Sequence, residues 1–331
     1  MATGHPDRTP DPPRRWFASS YPLRERVAWV RRYCFGPTAE HAGLVSFVPR
    51  RAELAAVSPR LVVAFAGDLM PAWGRAIEPA PSVLAFLRGA DFFVLNFEGV
   101  ISRAPKVFLA QAHDESVLGS LAGLFPPDRT FLSCANNHAA DFGRTEFCRS
   151  AALLRARGFR LIGLRDAPSA LLGGAVNVAA ATWWWSRPCE YVAKWADMDG
   201  AWRAGAALNV VFGHWGQEWR LFPAPAWVEE ARRLLGRWDA VVGHHPHCPQ
   251  PVTAAEARGR RRLVAYSLGN FSSGSRGQGY RWGILLKATV GPDAAGTWQV
   301  GRVEWSFTTV RPMGRGRSCL DLAPRCPYFD V

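Results

Sequence analysis

Eight continuous apolar runs are spaced along residues 61–268, and five of them lead directly into a short polar motif. Such runs predict strands that are buried on both faces, and segments with helical spacing lie between several of them. Interspersed strands and helices are typical of an α/β protein. The predicted strands cover residues 61–67, 91–97, 130–135, 160–164, 175–182, 207–213, 239–243 and 262–268, and the predicted helices cover 81–89, 144–157 and 225–236.

The N-terminal part of the chain differs from this region. Residues 1–15 are rich in Pro and Arg, which predicts a flexible tail. Residues 16–60 carry Leu23, Val27 and Val30 at near-helical spacing among arginines, which predicts an N-terminal helical extension. This helix either packs on the main domain or docks a substrate or a partner.

The main domain is predicted to span residues 61–310. Two strand-like runs near its end, at 282–290 and 298–307, predict a hairpin that would suit a sheet edge. Residues 311–331 show no periodicity, and the sequence therefore predicts a C-terminal tail there.

Composition narrows the classes of function. The net charge is +13, but the 40 basic residues include only three lysines, and no nucleic-acid-binding signature accompanies the arginines. We therefore expect no nucleic-acid partner, although an anionic peptide or phosphate substrate remains compatible with the charge. The seven cysteines are scattered, which is typical of reduced thiols in a cytoplasm. The sequence shows no signal peptide and no run of about 18 apolar residues. We therefore expect a cytoplasmic protein that is not anchored in a membrane.

Polar motifs follow the predicted strands. In an α/β fold such strand ends meet at one edge of the sheet, where function gathers. A sixth motif around Asn270 is also compatible with a simple turn. The six are Gly67-Asp68-Leu69-Met70, Asn96-Phe97-Glu98, Asn136-Asn137-His138-Ala139-Ala140-Asp141, His214-Trp215-Gly216-Gln217-Glu218, Gly243-His244-His245-Pro246-His247 and Tyr266-Ser267-Leu268-Gly269-Asn270.

These residue types suit a divalent metal ion. Ions such as Mn²⁺, Fe²⁺ or Zn²⁺ bind imidazole together with carboxylate and amide oxygens. On an extended segment, the side chains of His245 and His247 point the same way, because side-chain direction repeats every second residue. The sequence therefore predicts that both histidines face one metal site, with His244 as a neighbour. Alone, His214 is equally compatible with a buried structural histidine.

The six motifs, in this order, resemble those of the CapA family, named for capsule poly-γ-glutamate synthesis proteins and related to calcineurin-like metallophosphoesterases. The resemblance runs from about residue 61 to 290. It implies a four-layer α/β/β/α sandwich of the metallophosphoesterase type, with one or two divalent metal ions (Mn, Zn, Fe, Co or Mg) at the strand ends. By this resemblance, residues 61–310 are a CapA-like, metal-dependent catalytic domain.

The resemblance also assigns roles to single residues. The implied metal ligands are Asp68, Glu98, Asn137, His214, His245 and His247. His138 matches an acid/base histidine that does not bind metal, and Asp141 is placed to orient it. The chain departs from the phosphoesterase pattern at Met70, which stands where those enzymes usually have a metal-binding histidine. The number of ions therefore stays open.

Three functions are compatible with these residues. The favoured one is a peptide-modifying enzyme that epimerises a residue of a ribosomally made, lasso-type precursor peptide, because soluble CapA-like proteins include such epimerases. The alternative is hydrolysis of a phosphoester or of an amide or γ-glutamyl bond, and a role in polymer export fits least. His138, Asp141 and Glu218 are the catalytic candidates. Trp215 and Asn270 are the predicted substrate contacts.

Overall fold

The computed structural model describes residues 19–41, 43–105, 109–274 and 278–329. Its α-helices are α1 (Leu23–Phe35), α2 (Pro81–Leu87), α3 (Val117–Leu124), α4 (Gly143–Ala156) and α5 (Pro225–Leu235). Its 3₁₀ helices are Pro127–Arg129, Trp195–Ala201 and Gln278–Arg281. Its strands are β1 (Arg51–Glu53), β2 (Leu61–Leu69), β3 (Ala76–Pro79), β4 (Phe92–Phe97), β5 (Val100–Ile101), β6 (Ala112–His113), β7 (Thr130–Ser133), β8 (Arg160–Ile162), β9 (Ser169–Leu172), β10 (Val176–Thr182), β11 (Leu208–His214), β12 (Ala240–His244), β13 (Val252–Ala257), β14 (Arg260–Ala265), β15 (Asn270–Ser272), β16 (Trp282–Pro292), β17 (Trp298–Gly314) and β18 (Arg317–Ala323).

Two large sheets form the centre of the fold. The first has the order β3-β18-β17-β16-β2-β4-β7-β8, with β1 paired to β17 and β15 paired to β2. The second has the order β13-β14-β12-β11-β10-β9. Strands β2, β4, β7 and β8 run parallel, as do β10, β11, β12 and β14. The carboxyl ends of these parallel strands carry the polar motifs.

Apolar side chains divide the fold into four layers. Phe65 of β2 and Phe212 of β11 lie in the core between the two sheets, with their ring centroids 6.0 Å apart. The neighbouring Ala64 of β2 belongs to a second core with Leu87 of α2, on the outer face of the first sheet. A third core joins β11 to Trp227 of α5. This arrangement confirms the predicted α/β/β/α sandwich.

All eight predicted central strands and all three predicted helices are present, with ends shifted by a few residues. The continuous apolar runs were informative because both faces of these strands are covered, one by the opposite sheet and one by helices. The predicted hairpin forms between β16 and β17. It does not lie at an edge, however, since β16 also pairs with β2 and β17 also pairs with β18.

The structure corrects the predicted C-terminal tail. Strand β17 extends to Gly314, and β18 returns antiparallel to it, with Leu320 opposite Val310. Strand β18 also pairs in parallel with β3. Its Arg- and Pro-rich surroundings carry little local strand signal, and pairing with two neighbours supplies the stability instead.

The N-terminal residues also join the main domain. The predicted tail, 1–15, lies outside the described residues. The predicted helical extension contains α1, and its second part adds β1, which pairs antiparallel with β17. None of the helices in the described part of the chain is long and apolar enough to span a membrane.

Gly67 permits a close backbone approach beside Asp68. A Cβ atom at this position would lie 2.0 Å from the carbonyl oxygen of Gly269, which accepts a hydrogen bond from the Asp68 amide. We expect Gly67→Ala to lower the free energy of unfolding by about 1–3 kcal/mol, because backbone must move to relieve the overlap. Urea denaturation measures this change.

The control for this prediction is Gly119→Ala. Gly119 lies in α3, and a Cβ atom there would meet nothing within 4 Å. Alanine should therefore raise the free energy of unfolding by roughly 0.5–1 kcal/mol, since glycine weakens a helix interior. Equal stability of the two variants would contradict the steric argument at Gly67.

Candidate metal centre

The parallel strands of both sheets bring the six predicted metal ligands together. Asp68 lies near the end of β2, Glu98 follows β4, and His214 ends β11. The remaining three lie in loops that follow β7 and β12. All six are buried: Asp68, Glu98, Asn137, His214, His245 and His247 are each at most 2% exposed.

Asp68 contacts more residues of this cluster than a single ligand pair would require. Its Oδ1 accepts a hydrogen bond from Asn96 Nδ2 (2.8 Å) and pairs with His244 Nδ1 (3.0 Å). Its Oδ2 accepts from the backbone N–H of His245 (3.0 Å) and lies 3.4 Å from His247 Nδ1. Burial alone would raise the pKa of Asp68, but the hydrogen bonds from His244 and His247 outweigh it and hold the pKa well below its usual value. Asp68 is therefore a fixed buried carboxylate.

Asp68, His214 and His244 form one group whose potential ligand atoms lie within 4.8 Å of one another. The Nδ1 atoms of the two histidines are 2.9 Å apart, and His214 Nε2 lies 2.9 Å from Asn137 Oδ1. Burial, followed by the charges of His245 and His244, lowers the pKa of His214 well below its usual value. His214 is therefore held neutral, the form in which imidazole binds a metal ion.

The participation of His244 departs from its predicted place as a neighbour. That prediction assumed an extended segment with strict alternation. In the structure β12 ends at His244, and the backbone φ angles of His245 (101°) and His247 (58°) lie in the left-handed region. Alternation is lost at this turn, so all three imidazoles reach the cluster around Asp68.

Glu218, His245 and His247 form a second group, again with ligand atoms within 4.8 Å of one another. Burial alone would lower the pKa of His247, but a hydrogen bond to Asp68 and the charge of Glu218 raise it to about 10. Burial, with the nearby charge of His247, lowers the pKa of His245. Glu218, predicted as an acid/base residue, thus also lies where a ligand would be.

Buried polar atoms without partners test whether a cation fits here. Among the described residues, Glu98 Oε1, His244 Nε2 and His245 Nδ1 are buried and make no hydrogen bond. Burial, followed by the charge of Asp68, raises the pKa of Glu98 to about 8. Oxygen and imidazole nitrogen atoms are the donors that divalent transition-metal ions bind. The cluster thus contains three buried donor atoms without hydrogen-bond partners, and their chemistry fits a divalent ion.

His138 and Asp141 form a dyad beside this cluster. His138 Nδ1 lies 2.6 Å from Asp141 Oδ2, which also accepts a hydrogen bond from the backbone N–H of Gln111 (2.9 Å). Burial alone would lower the pKa of His138, but the charge of Asp141 and its hydrogen bond raise it to about 9. Asp141 thus binds the Nδ1 atom of the ring, and Nε2 is the ring nitrogen left for proton transfer.

A cavity of about 240 Å³ lies over the cluster. Its walls include His138, Asp141 and Glu218, and the side chain of Met70 also lines it. The three predicted catalytic residues therefore face one space. Met70 places a thioether at the cavity, next to the motif that carries Asp68.

The two predicted substrate contacts lie elsewhere. Trp215 is 1% exposed, and its Nε1 donates a hydrogen bond to the carbonyl oxygen of Tyr266 (2.9 Å) within the core beneath α5. Asn270 is buried behind the cluster, where its Oδ1 lies 3.0 Å from His247 Nδ1. The structure therefore corrects both assignments: Trp215 supports the fold, and Asn270 orients His247.

Sequence reasoning missed two aromatic residues from the N-terminal segment. Tyr21 and Trp29 both line the cavity. The Tyr21 hydroxyl contacts Asn137 and His245, and Trp29 Nε1 donates to Glu218 Oε2 (2.5 Å). Their only signal in the sequence was the helical spacing of residues 16–35, which does not reveal what a helix covers.

Comparison with known proteins places the chain in a family. The family model described as "Bacterial capsule synthesis protein PGA_cap" matches residues 62–171 and 184–275. The PGA biosynthesis protein CapA of Bacillus subtilis (strain 168) is 25% identical over an alignment of 290 positions, which covers 76% of this chain and 74% of that protein. The capsule biosynthesis protein CapA of Bacillus anthracis is 23% identical over an alignment of 254 positions, which covers 64% of this chain and 59% of that protein.

Two solved structures are also similar. A hypothetical protein from Thermus thermophilus aligns with a TM-score of 0.45 and 15% identity, over 75% of this chain and 98% of that one. The calcineurin-like phosphoesterase YfkN from Bacillus subtilis aligns with a TM-score of 0.38 and 12% identity, over 76% and 91%. The family match covers more than half of the chain and contains all six predicted metal ligands. This protein therefore belongs to the PGA_cap family of bacterial capsule synthesis proteins.

Proposed function

We propose that this protein is a metal-dependent enzyme that epimerises one residue of a peptide by acid/base chemistry at its Cα atom. One observation carries the proposal: His138 and Glu218 line the same cavity but follow strands of different sheets, β7 and β11. Epimerisation needs one group that removes the Cα proton and a second that returns a proton to the opposite face. Two acid/base side chains that reach one cavity from different sheets suit this need.

The metal cluster fits the same reaction. Asp68, Glu98, Asn137, His214, His244, His245 and His247 are the residues that would hold a divalent ion. A bound ion would polarise the peptide carbonyl and make the neighbouring Cα proton more acidic. Asp141 keeps His138 in one orientation.

The cavity also supports the substrate class. Its volume is about 240 Å³, which is less than the roughly 300–1,000 Å³ of pockets that hold drug-sized ligands. A volume of this size suits one residue of a peptide. Trp29, Met70 and Leu109 offer apolar contacts, and Arg26 and Arg187 offer positive charge. A single residue at the carboxyl end of a peptide combines an apolar side chain with a carboxylate that a guanidinium group can bind. We propose a ribosomally made, lasso-type precursor peptide as the substrate.

Hydrolysis of an amide or phosphoester bond is the second candidate. The observation that favours it is the His138–Asp141 dyad beside the metal cluster. A protonated His138 held in this way would donate its Nε2 proton to a leaving group. This reaction needs only one acid/base residue, and Glu218 would then serve to bind rather than to transfer a proton.

Deuterium exchange separates the two reactions. We expect the Mn²⁺-loaded protein, incubated in D₂O with synthetic peptides that differ in their terminal residue, to exchange one Cα hydrogen for deuterium without cleavage. Mass spectrometry follows the exchange, and chiral analysis after acid hydrolysis identifies the D-residue. Peptide cleavage, or turnover of a generic phosphodiester without Cα deuterium, would support hydrolysis and overturn epimerisation. Full exchange after exhaustive chelation would remove the metal from the proposal.

A further inference from the structure

The N-terminal residues 19–35 form one wall of the cavity, although they lie outside the family match at 62–171 and 184–275. Four of them line the cavity: Ser19, Tyr21, Arg26 and Trp29. The capsule-family core thus receives part of its site from a segment that the family model does not include. This arrangement raises the question of what the added segment does to the metal cluster.

Tyr21 reaches the metal cluster directly. Its hydroxyl oxygen accepts a hydrogen bond from Asn137 Nδ2 (3.0 Å) and lies 3.3 Å from His245 Nε2. Its ring stacks on Trp184, with ring centroids 4.7 Å apart and planes inclined by 8°. The adjacent Ser20 exchanges hydrogen bonds with Trp185 through its backbone N–H (3.0 Å) and its hydroxyl (2.9 Å). Tyr21 is therefore held in place from two sides.

The contact of Tyr21 with Asn137 favours one orientation of the Asn137 amide. An amide group has one end that accepts and one that donates, and only the oxygen binds a cation. With Nδ2 donating to Tyr21, Oδ1 turns toward His214 Nε2, at 2.9 Å. Without the phenol oxygen, Nδ2 keeps only its long contact with Ser186 Oγ (3.4 Å), and the amide orientation then depends on the contact of Oδ1 with His214 Nε2 alone.

The contact of Tyr21 with His245 also favours metal binding. Its Nδ1 has no hydrogen-bond partner among the described residues, whereas its Nε2 faces the Tyr21 hydroxyl. When Nε2–H donates to the phenol oxygen, Nδ1 keeps its lone pair for a cation. Metal-binding histidines commonly donate their second ring N–H in this way, which sets the tautomer and the ring orientation.

We propose that Tyr21 is a positioning residue of the metal centre, which orients the Asn137 amide and the His245 ring from outside the segments that match the family. Helix α1 holds the neighbouring Glu218 in a similar way, through Trp29 Nε1 to its carboxylate and Arg32 Nε to its backbone oxygen (2.6 Å). The inference rests on the metal dependence of the proposed function and is independent of whether the reaction is epimerisation or hydrolysis.

Binding of Mn²⁺ alone tests this role. Isothermal titration of the metal-free full-length protein should show that Tyr21→Phe weakens Mn²⁺ binding by about 10–100-fold, the usual cost of removing a partner of a metal ligand. The matched control is Tyr280→Phe. Tyr280 lines the same cavity and its ring centroid lies 6.0 Å from that of His247, but the hydroxyl that contacts Asn137 and His245 is that of Tyr21. The Mn²⁺ affinity of this control should match that of the wild type.

A second variant keeps the test clear. In the Asn137→Asp variant both ends of the side chain are oxygen atoms, so its orientation no longer matters for binding a cation. Tyr21→Phe should therefore lower the Mn²⁺ affinity less in this variant than in the wild type. A double-mutant cycle measures the difference. Tyr21→Phe with wild-type affinity would overturn the role of Tyr21 and leave the proposed function intact. A wild-type protein that binds no Mn²⁺ would overturn both.

Discussion

Replacing His245 with alanine is expected to remove divalent-ion binding and activity together. The ring lies in the group of potential ligands with Glu218 and His247, and its Nδ1 has no partner among the described residues. Losing a direct ligand should cost more than the roughly 10–100-fold typical of a supporting partner. Isothermal titration with Mn²⁺, together with metal analysis of the purified protein, measures the loss.

The control for this experiment is His41→Ala. His41 is exposed, its Nδ1 accepts a hydrogen bond from the backbone N–H of Gly43 (3.2 Å), and its ring packs edge-on against Phe222, away from the metal cluster's ligands. This variant should bind Mn²⁺ as the wild type does. Circular dichroism should show that His245→Ala remains folded. A folded His245→Ala protein with unchanged Mn²⁺ affinity would exclude His245 from the metal centre.

Replacing His138 with alanine is expected to produce the opposite combination, in which metal binding survives and the rate falls. His138 lies outside both groups of potential ligands, yet it lines the cavity and is held by Asp141. General acid/base catalysis contributes about 10²–10⁴-fold, and we expect a loss of that size in kcat. Deuterium incorporation at Cα, or release of a cleaved product, measures the rate with the same peptide panel.

Asp141→Asn refines this result. Asparagine can still occupy the position of Asp141, but it removes the negative charge that raises the pKa of His138. We expect this variant to keep Mn²⁺ and to lose less rate than His138→Ala, because the ring itself remains. Loss of Mn²⁺ by His138→Ala to an extent comparable with His245→Ala would instead make His138 a ligand.

Local patterns predicted the strands well for a physical reason. Strands β2, β4 and β11 are covered on both faces, so their sequences are continuously apolar and end abruptly at polar residues. Strand β18 lacks this pattern, because its residues alternate between buried and partly exposed positions beside arginines. Its place follows from pairing with β17 and β3, which no local pattern encodes.

The same limit applies within the site. The motif around Trp215 suggested an aromatic substrate contact, but the side chain points into the core with Trp195 and Trp227. Conversely, the rule of alternation predicts that His244 is only a neighbour of the site, and this rule fails where the backbone of His245 adopts a positive φ. Side-chain direction at a strand end depends on local backbone geometry, and motif spacing alone does not determine that geometry.

The sequence by itself determined the α/β class and the residue types of the metal cluster. Strands that are buried on both faces have continuously apolar sequences, and the ligands lie in short polar motifs directly after them. Only the tertiary structure decided which side chains share the cavity. Tyr21 and Glu218 are far apart in the sequence, and the packing of the N-terminal segment on the main domain brings both to one cavity. Contacts over such distances arise when separate elements pack, so they depend on the complete fold rather than on neighbouring residues.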